Sequence, residues 1–282
     1  MREYDDYTLK KVQELELSIL KDFVEICERE GFRYFLEAGS LLGAIRHKGF
    51  IPWDDDIDVG MPRKDYMKFL KYAKENLTDK YNILNLYEYE NYPLTSTQLA
   101  LKDTTFVIDY FEEIKGVPFG IFLDIFPMDY VSDDEKIRRK QILKCYIYGH
   151  IIILKGVKKP YIPYTGLLKK FLHFGTATVH YMLNIFKVSP KRLCKKMERT
   201  VYPYRNGTKW IKYIDAEGLD VDLCKWDDIF PTVPIEFCGL TVQAPKNWDK
   251  YLKNYYGDYM QLPPVEKRKN HFPAKLDFGK YK

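Results

Sequence analysis

The run Asp54-Asp55-Asp56-Ile57-Asp58-Val59 constrains this chain more than any other stretch. Carboxylates crowd into a few positions and lead into a segment, Ile57-Asp58-Val59-Gly60-Met61, that alternates as a strand does. Strand residues two apart share a face, so Asp56 and Asp58 are expected to project together while Ile57 and Val59 turn to the core. Neighbouring carboxylates repel unless a cation lies between them. Hard oxygen ligands on one edge suit Mg²⁺ or Mn²⁺, which also engage phosphate. An acidic run alone is ordinarily a solvated loop, so this interpretation needs support from elsewhere in the chain.

Two other stretches supply it. Upstream, Ala38-Gly39-Ser40 follows a short apolar run and opens a helix that Ser40 is expected to cap. A glycine there lets backbone approach a phosphate, and helix N–H groups attract its charge. Arg46, His47 and Lys48 end that helix and are candidate phosphate clamps, Arg46 through a two-pronged contact. The plain alternative is cations decorating a helix C-terminus. Downstream, Phe122-Leu123-Asp124-Ile125-Phe126 sets one acid inside an apolar strand, which is costly without a metal, proton or partner. A neighbouring strand, parallel or antiparallel, would carry Asp124 to the Asp56/Asp58 edge. Asp56, Asp58 and Asp124 are thus the candidate catalytic and metal-holding acids.

The rest of the chain reads as α+β. Leu9, Val12, Leu15, Ile19, Phe23 and Ile26 mark an amphipathic helix stopped by Gly31. Helices are expected from Arg63 to Asn76 and from Asp133 to Tyr148, and strands near 81–87, 97–110 and 119–126. Tyr164 to Val201 is helical, basic and aromatic; a hairpin is expected at Phe237-Cys238-Gly239 and a helix near Trp248–Tyr255. The layout divides into a core, 1–130, a helical basic insertion, 131–202, and a segment returning to the core, 203–282.

Net charge is only +5, but its distribution is uneven. Lys136 to Arg199 holds sixteen Lys/Arg and one acid, Glu198, which leaves the remainder at −10. A basic face of this kind suits phosphate, nucleic acid or an anionic membrane. The helix bearing Leu167, Leu168, Phe171 and Phe174 beside Lys169 and Lys170 is a candidate for peripheral contact with an anionic bilayer, or for plain packing with a solvated basic side. Five scattered cysteines form no C-x-x-C pair, which speaks for reduced thiols and against a zinc ribbon. The charged start MREYDDYTLKKVQ has no apolar signal core, and no apolar run of about 18 residues suits a bilayer span.

The stretch from Phe35 through Glu37-Ala38-Gly39-Ser40-Leu41-Leu42-Gly43-Ala44-Ile45-Arg46-His47-Lys48-Gly49-Phe50-Ile51-Pro52-Trp53 to Asp58 resembles the signature of the LicD family, phosphorylcholine transferases of bacterial surface glycans related to the fukutin group. Gly120-Ile121-Phe122-Leu123-Asp124-Ile125-Phe126-Pro127 and Tyr256-Gly257-Asp258-Tyr259-Met260-Gln261-Leu262-Pro263-Pro264 are similar to further family motifs. The similarity runs from about residue 30 to the C-terminus and is weakest in the basic middle. The resemblance implies a nucleotidyltransferase-type core with a mixed sheet flanked by helices. It implies transfer of phosphocholine from CDP-choline to a sugar hydroxyl of a lipid-linked teichoic-acid or lipopolysaccharide precursor, releasing CMP, at the cytoplasmic face of the membrane. Mg²⁺ or Mn²⁺ would serve the acids, and Arg268 and His271 would close the site.

Choline, a quaternary ammonium, cannot donate hydrogen bonds and is held by aromatic faces, for which Trp53, Tyr256 and Tyr259 are candidates. With 24 tyrosines in the chain, core packing is the default fate of each one. Three other readings stay open: a CDP-ribitol or CDP-glycerol donor, a nucleotidyltransferase acting on nucleic acid, and a non-catalytic binding module. The family-like motifs speak against nucleic acid, and three intact acids speak against a non-catalytic role.

Overall fold

In a computed structural model, which describes residues 4–214, 223–268 and 270–282, the spacing of apolar residues sets the first element. Helix α1 (Asp6–Glu30) buries Val12, Leu15, Ile19, Phe23 and Ile26 along one side. The Asp5 carboxylate caps it by accepting the Thr8 N–H at 2.9 Å, and Gly31 ends it at φ 69°. Residues 1–3, 215–222 and 269 lie outside the description; they include the first residues of the charged N-terminal segment and part of the 203–282 segment.

The chain continues through β1 (Phe35–Leu36), α2 (Ala38–His47), β2 (Asp58–Pro62), α3 (Arg63–Asn76), β3 (Tyr81–Leu84), β4 (Thr97–Leu101), β5 (Thr105–Val107) and β6 (Phe122–Val131). Three helices follow: α4 (Glu135–Gly156), α5 (Gly166–Ile185) and α6 (Pro190–Val201). The last part holds β7 (Trp210–Tyr213), β8 (Cys224–Lys225), α7 (Trp226–Ile229), β9 (Val233–Phe237), β10 (Leu240–Ala244), α8 (Trp248–Tyr256) and β11 (Lys275–Asp277). The result is a mixed α/β architecture with eight α-helices among the described residues, in keeping with the expected α+β class.

The main sheet runs β1-β2-β6-β4-β3, with β7 joined to β6 and β8 to β7. Strand β6 organises it. It pairs parallel with β2, antiparallel with β4 through its first half, and antiparallel with β7 through its second. Both edges of such a strand are paired, and its Leu123 and Ile125 are fully buried on one face. Arg63, at the start of α3, locks α3 to β6 through a two-pronged pair with the buried Asp129, at 2.9 and 2.6 Å.

Several boundaries differ from expectation. Strand β2 begins at Asp58, so Asp56 stands in the extended lead-in and outside the strand itself. The reason is pairing: β1 offers only two residues, opposite Val59 and Gly60. The 97–110 run breaks into β4 and β5 at Asp103, whose φ is 62°. Helix α4 runs eight residues beyond Tyr148, because Gly149 is tolerated inside it. The hairpin falls where expected, with Cys238 and Gly239 both at positive φ, as a tight two-residue turn requires. Its Cys238 N–H donates to the Lys48 carbonyl at 2.7 Å, which ties the hairpin to the end of α2.

Helices α4 and α6 bury Ile142, Cys145 and Ile152, and Leu193, Cys194, Met197 and Val201. Helix α5 buries none of its residues.

Candidate active site

The loop from β1 to α2 and the start of β2 grip each other. Glu37 donates its N–H to the Asp58 carbonyl at 3.0 Å, and the Asp58 N–H donates to Ser40 Oγ at 2.8 Å. Both peptide groups of Asp58 are thereby held by the Glu37–Ser40 turn. Ala38 adopts φ 44°, a strained value for a residue with a side chain, and strain of this kind gathers at functional sites. Gly39 has a steric reason to be glycine, since an added Cβ would meet Asp54 Oδ2 at 3.0 Å.

Asp58 stands in register with Asp124 across the parallel β2–β6 pair, and the Asp124 N–H donates to the Ile57 carbonyl at 3.0 Å. On the far side of Asp124 the register partner is Gln98, whose amide nitrogen lies 3.5 Å from Asp124 Oδ2. Asp56, Asp58 and Asp124 all line one cavity of about 800 Å³, a volume suited to a nucleotide-sized ligand.

The acid lead-in is held from two directions. From α1, Gln13 donates to the Asp54 carbonyl at 2.8 Å, and just before it Tyr4 Oη donates to Asp55 Oδ2 at 2.7 Å. From the C-terminal tail, the His271 N–H donates to Asp55 Oδ1 at 2.7 Å, while His271 Nδ1 lies 3.1 Å from Asp56 Oδ2. The ligand atoms of Asp55, Asp56 and His271 fall within 4.8 Å of one another, near enough to share a metal ion. Both Asp55 oxygens already accept hydrogen bonds, so Asp55 reads as the pin that fixes the loop. Asp56, with Asp58 and Asp124 beyond it, presents the acid edge.

The electrostatics follow from crowding. Burial, then the charges of Asp56 and Asp124, push the Asp58 carboxyl well above the usual carboxylate range. Burial, then Asp56 and Asp55, do the same to Asp54. Burial would also raise Asp56, but the His271 charge and hydrogen bond outweigh it and hold Asp56 low. The Asp56 charge in turn lifts His271 well above an ordinary histidine, against its own burial. An acid floor that one imidazolium only partly balances is the donor set of a hard divalent cation, so the residues fit Mg²⁺ or Mn²⁺.

The candidate binding residues separate into two groups. Gly39, Arg46, Trp53, Tyr256, Arg268 and His271 line the cavity. Ser40, His47 and Lys48 do not. Ser40 is buried inside the first turn of α2 rather than capping it, because its hydroxyl is engaged by Asp58. His47 Nε2 accepts from Arg46 Nε at 2.9 Å, and Lys48 closes the helix at φ 61°. Arg46 Nη1 also donates to the Tyr259 carbonyl at 2.7 Å, so it fastens the tail to α2. The Trp53 ring carries the Arg268 guanidinium 4.3 Å from its centroid, so that face is covered. Tyr259 Oη donates to Asp249 at 2.8 Å. The broad aromatic wall of the cavity comes instead from Phe106, Tyr110, Phe111, Phe119 and Phe122.

Sequence reasoning missed that wall, because an aromatic in a strand or loop gives no local sign of facing a cavity. It missed Glu37, buried on the cavity lining with the Tyr251 hydroxyl donating to it at 3.0 Å. It also missed Glu16 on α1, fully buried, with neither carboxyl oxygen hydrogen-bonded. Glu16 occupies an inward position of α1, and that polar break in an apolar stripe was the available signal.

Comparison with known proteins agrees with this geometry. Residues 31–144 match the family model described as LicD/FKTN/FKRP, nucleotidyltransferase domain. The chain is 32% identical over 279 residues to the lipopolysaccharide cholinephosphotransferase LicD of Haemophilus influenzae, covering 94% of this chain and 96% of that protein. A shorter match of 42 residues, 55% identical, is to the human ribitol 5-phosphate transferase FKRP, covering 15% of this chain and 8% of that one. Likeness along nearly the whole chain, together with a match that spans the Gly-Ser turn and all three acids, means that this protein belongs to the LicD family.

Proposed function

We propose that the chain is a phosphocholine transferase that moves the group from CDP-choline to a sugar hydroxyl of a cell-surface glycan precursor and releases CMP. The observation that carries this reading is the register of Asp58 and Asp124 at the floor of a nucleotide-sized cavity, in a chain similar throughout to a lipopolysaccharide cholinephosphotransferase. The aromatic wall in the same cavity as the acids supports choline over a polyol, since aromatic faces attract a quaternary ammonium and offer a polyol few hydrogen bonds.

The acceptor oxygen attacks the phosphorus that bears choline. One P–O bond forms to the sugar, the P–O bond to CMP breaks, and the acceptor proton passes to the Asp124 carboxylate. Asp56 and Asp58 would hold a divalent ion, which when bound would offset charge on the donor diphosphate and on the departing CMP. The Glu37–Ser40 turn keeps Asp58 in place through its backbone, and Asp55 keeps Asp56 in place through the lead-in. His271, held as a cation beside Asp56, contributes positive charge at the same edge. Arg46 and Arg268 add cationic charge to the cavity lining and keep the C-terminal tail over the site. Residues 1–130 form the catalytic core, 131–202 a basic helical attachment, and 203–282 a return to the core that delivers β7, Tyr251 and His271.

The test is CMP release from CDP-choline, CDP-ribitol and CDP-glycerol, with and without acceptor glycan, in Mg²⁺ and in chelator. CDP-choline turnover that needs both acceptor and metal is expected. Turnover with CDP-ribitol alone would move the donor assignment, and metal-independent turnover would remove the role given to Asp56 and Asp58. Asp58→Asn should weaken Mn²⁺ binding, whereas Asp124→Asn should keep it and still lose turnover.

A further inference from the structure

Helix α5 inverts the usual partition of side chains. Its inward positions, Leu172, His173, Thr176, Ala177, His180 and Leu183, are only half-buried. Contact with α4 includes polar groups: His180 Nδ1 lies 2.9 Å from the Leu154 carbonyl, and Lys155 hydrogen-bonds to Asn184. The outward side is the apolar one. Leu167 is 83% exposed, Phe171 73%, and Phe174 and Ile185 74% each. Steps of four, three and eleven residues put these four, with Met182 between, on one stripe of a 3.6-residue helix. An exposed apolar stripe of this kind, broken only at Thr178, marks an interaction surface.

The charge around the stripe identifies the occupant. Lys158 lies over the Tyr181 ring at 4.9 Å, Lys169 and Lys170 stand in the first turns of α5, and Lys187 follows its end. No acid occurs between Lys136 and Met197. A second copy of this chain would bring equally basic surface to the contact and be repelled. An anionic bilayer meets both needs: acyl chains for the stripe and lipid phosphates for the lysines.

We infer that α5 lies in the interface of an anionic membrane with Leu167, Phe171, Phe174 and Ile185 turned into the acyl region. No helix among the described residues is long and apolar enough to cross a bilayer, so the attachment is peripheral. Helix α4, on which α5 packs, lines the cavity through Gly149, His150 and Ile153, so docking by α5 brings the cavity within one helix of the lipid surface. Delivery of a lipid-borne acceptor to that cavity rests on the proposed reaction; the docking rests on α5 alone.

The experiment is flotation of the full chain with vesicles of phosphatidylcholine, or of phosphatidylcholine mixed with phosphatidylglycerol. The wild type should float with the anionic vesicles only. A variant carrying Leu167→Ser, Phe171→Ser, Phe174→Ser and Ile185→Ser, and a second carrying Lys169→Glu and Lys170→Glu, should each bind at least about tenfold less. Circular dichroism of both should match the wild type, since all six side chains are exposed. Wild type that stays at the bottom with anionic vesicles, or floats equally well in the serine variant, overturns the inference. So does a wild-type dimer in light scattering that the serine variant dissociates, which would mean that a second copy covers the stripe. Flotation needs no turnover, so failure of the proposed reaction would leave a positive result standing.

Discussion

The cavity floor and the outer side of α5 break the same rule in opposite directions. At the floor, Asp54, Asp56, Asp58, Asp124 and the underlying Glu16 put acids where the chain ordinarily keeps apolar groups. On α5, leucine, phenylalanine and isoleucine face outward where charges are the norm. By contrast, the buried Asp129 is matched by one cation, Arg63, in a two-pronged pair. Both departures cost stability: His271 balances only part of the acid charge at the floor, and the α5 stripe stays exposed among the described residues. On the reading proposed above, each region is completed by something bound: an ion and a nucleotide at the floor, a lipid surface at α5.

The sharpest way to break the comparison is at the floor. Asp58→Asn and Asp124→Asn should each lower CMP release by about 10³-fold or more, with thermal unfolding little changed or raised, because a repelling carboxylate is removed. Near-normal turnover in either variant would make that acid structural and dissolve the contrast. Next in size is the partnered control. Arg63→Ala leaves Asp129 buried without its cation and should cost about 3 kcal/mol in chemical unfolding, the low end for a broken buried pair because Arg63 keeps some exposure. A loss under about 1 kcal/mol would mean that burial is not what separates the two kinds of acid.

On the other side of the comparison, the α5 serine variant should keep full turnover with a water-soluble acceptor. With acceptor carried in anionic vesicles it should lose about tenfold, measured as CMP release at limiting vesicle concentration. Equal loss on both acceptors would place α5 in the catalytic machinery instead.

The smallest effect belongs to Glu16, whose carboxyl is raised well above its ordinary value of 4.5 by burial first and by Asp56, Asp55 and Asp54 after it. The unfolded chain releases the proton more readily than the folded one, so stability falls as pH climbs from about 4.5 toward the raised folded value. Glu16→Gln removes that loss. In chelator its melting temperature should match the wild type near pH 4 and exceed it by at least about 2 °C at pH 7. A gain that does not grow with pH would show that Glu16 is ionised in the fold.

Much of the fold was legible because it is local. The apolar spacing of α1, the alternation in β2 and the turn residues of the β9–β10 hairpin each depend on neighbours a few positions away. The acid run and Asp124 were equally legible as anomalies, since a carboxylate inside an apolar strand needs a reason wherever that strand lies. Ser40 was misjudged for the opposite cause. A serine near a helix start is a competent cap, and only the arrival of β2 alongside gives its hydroxyl the Asp58 N–H instead. His47 and Lys48 were drawn to phosphate by their charge, but the helical rotation that brings Arg46 to the cavity carries the residues after it off that face.

By itself, the sequence determined that helices and strands alternate, that several acids must be compensated, that the middle of the chain is basic and amphipathic, and which family the motifs resemble. Tertiary structure decided which acids share a floor, which aromatics line the same cavity, and that Arg268 covers Trp53. Periodicity and propensity act over one or two turns of chain. The parallel register of β2 against β6 and the docking of the C-terminal tail on Asp55 and Asp56 depend on the joint burial of side chains far apart in sequence, and no local pattern encodes that sum.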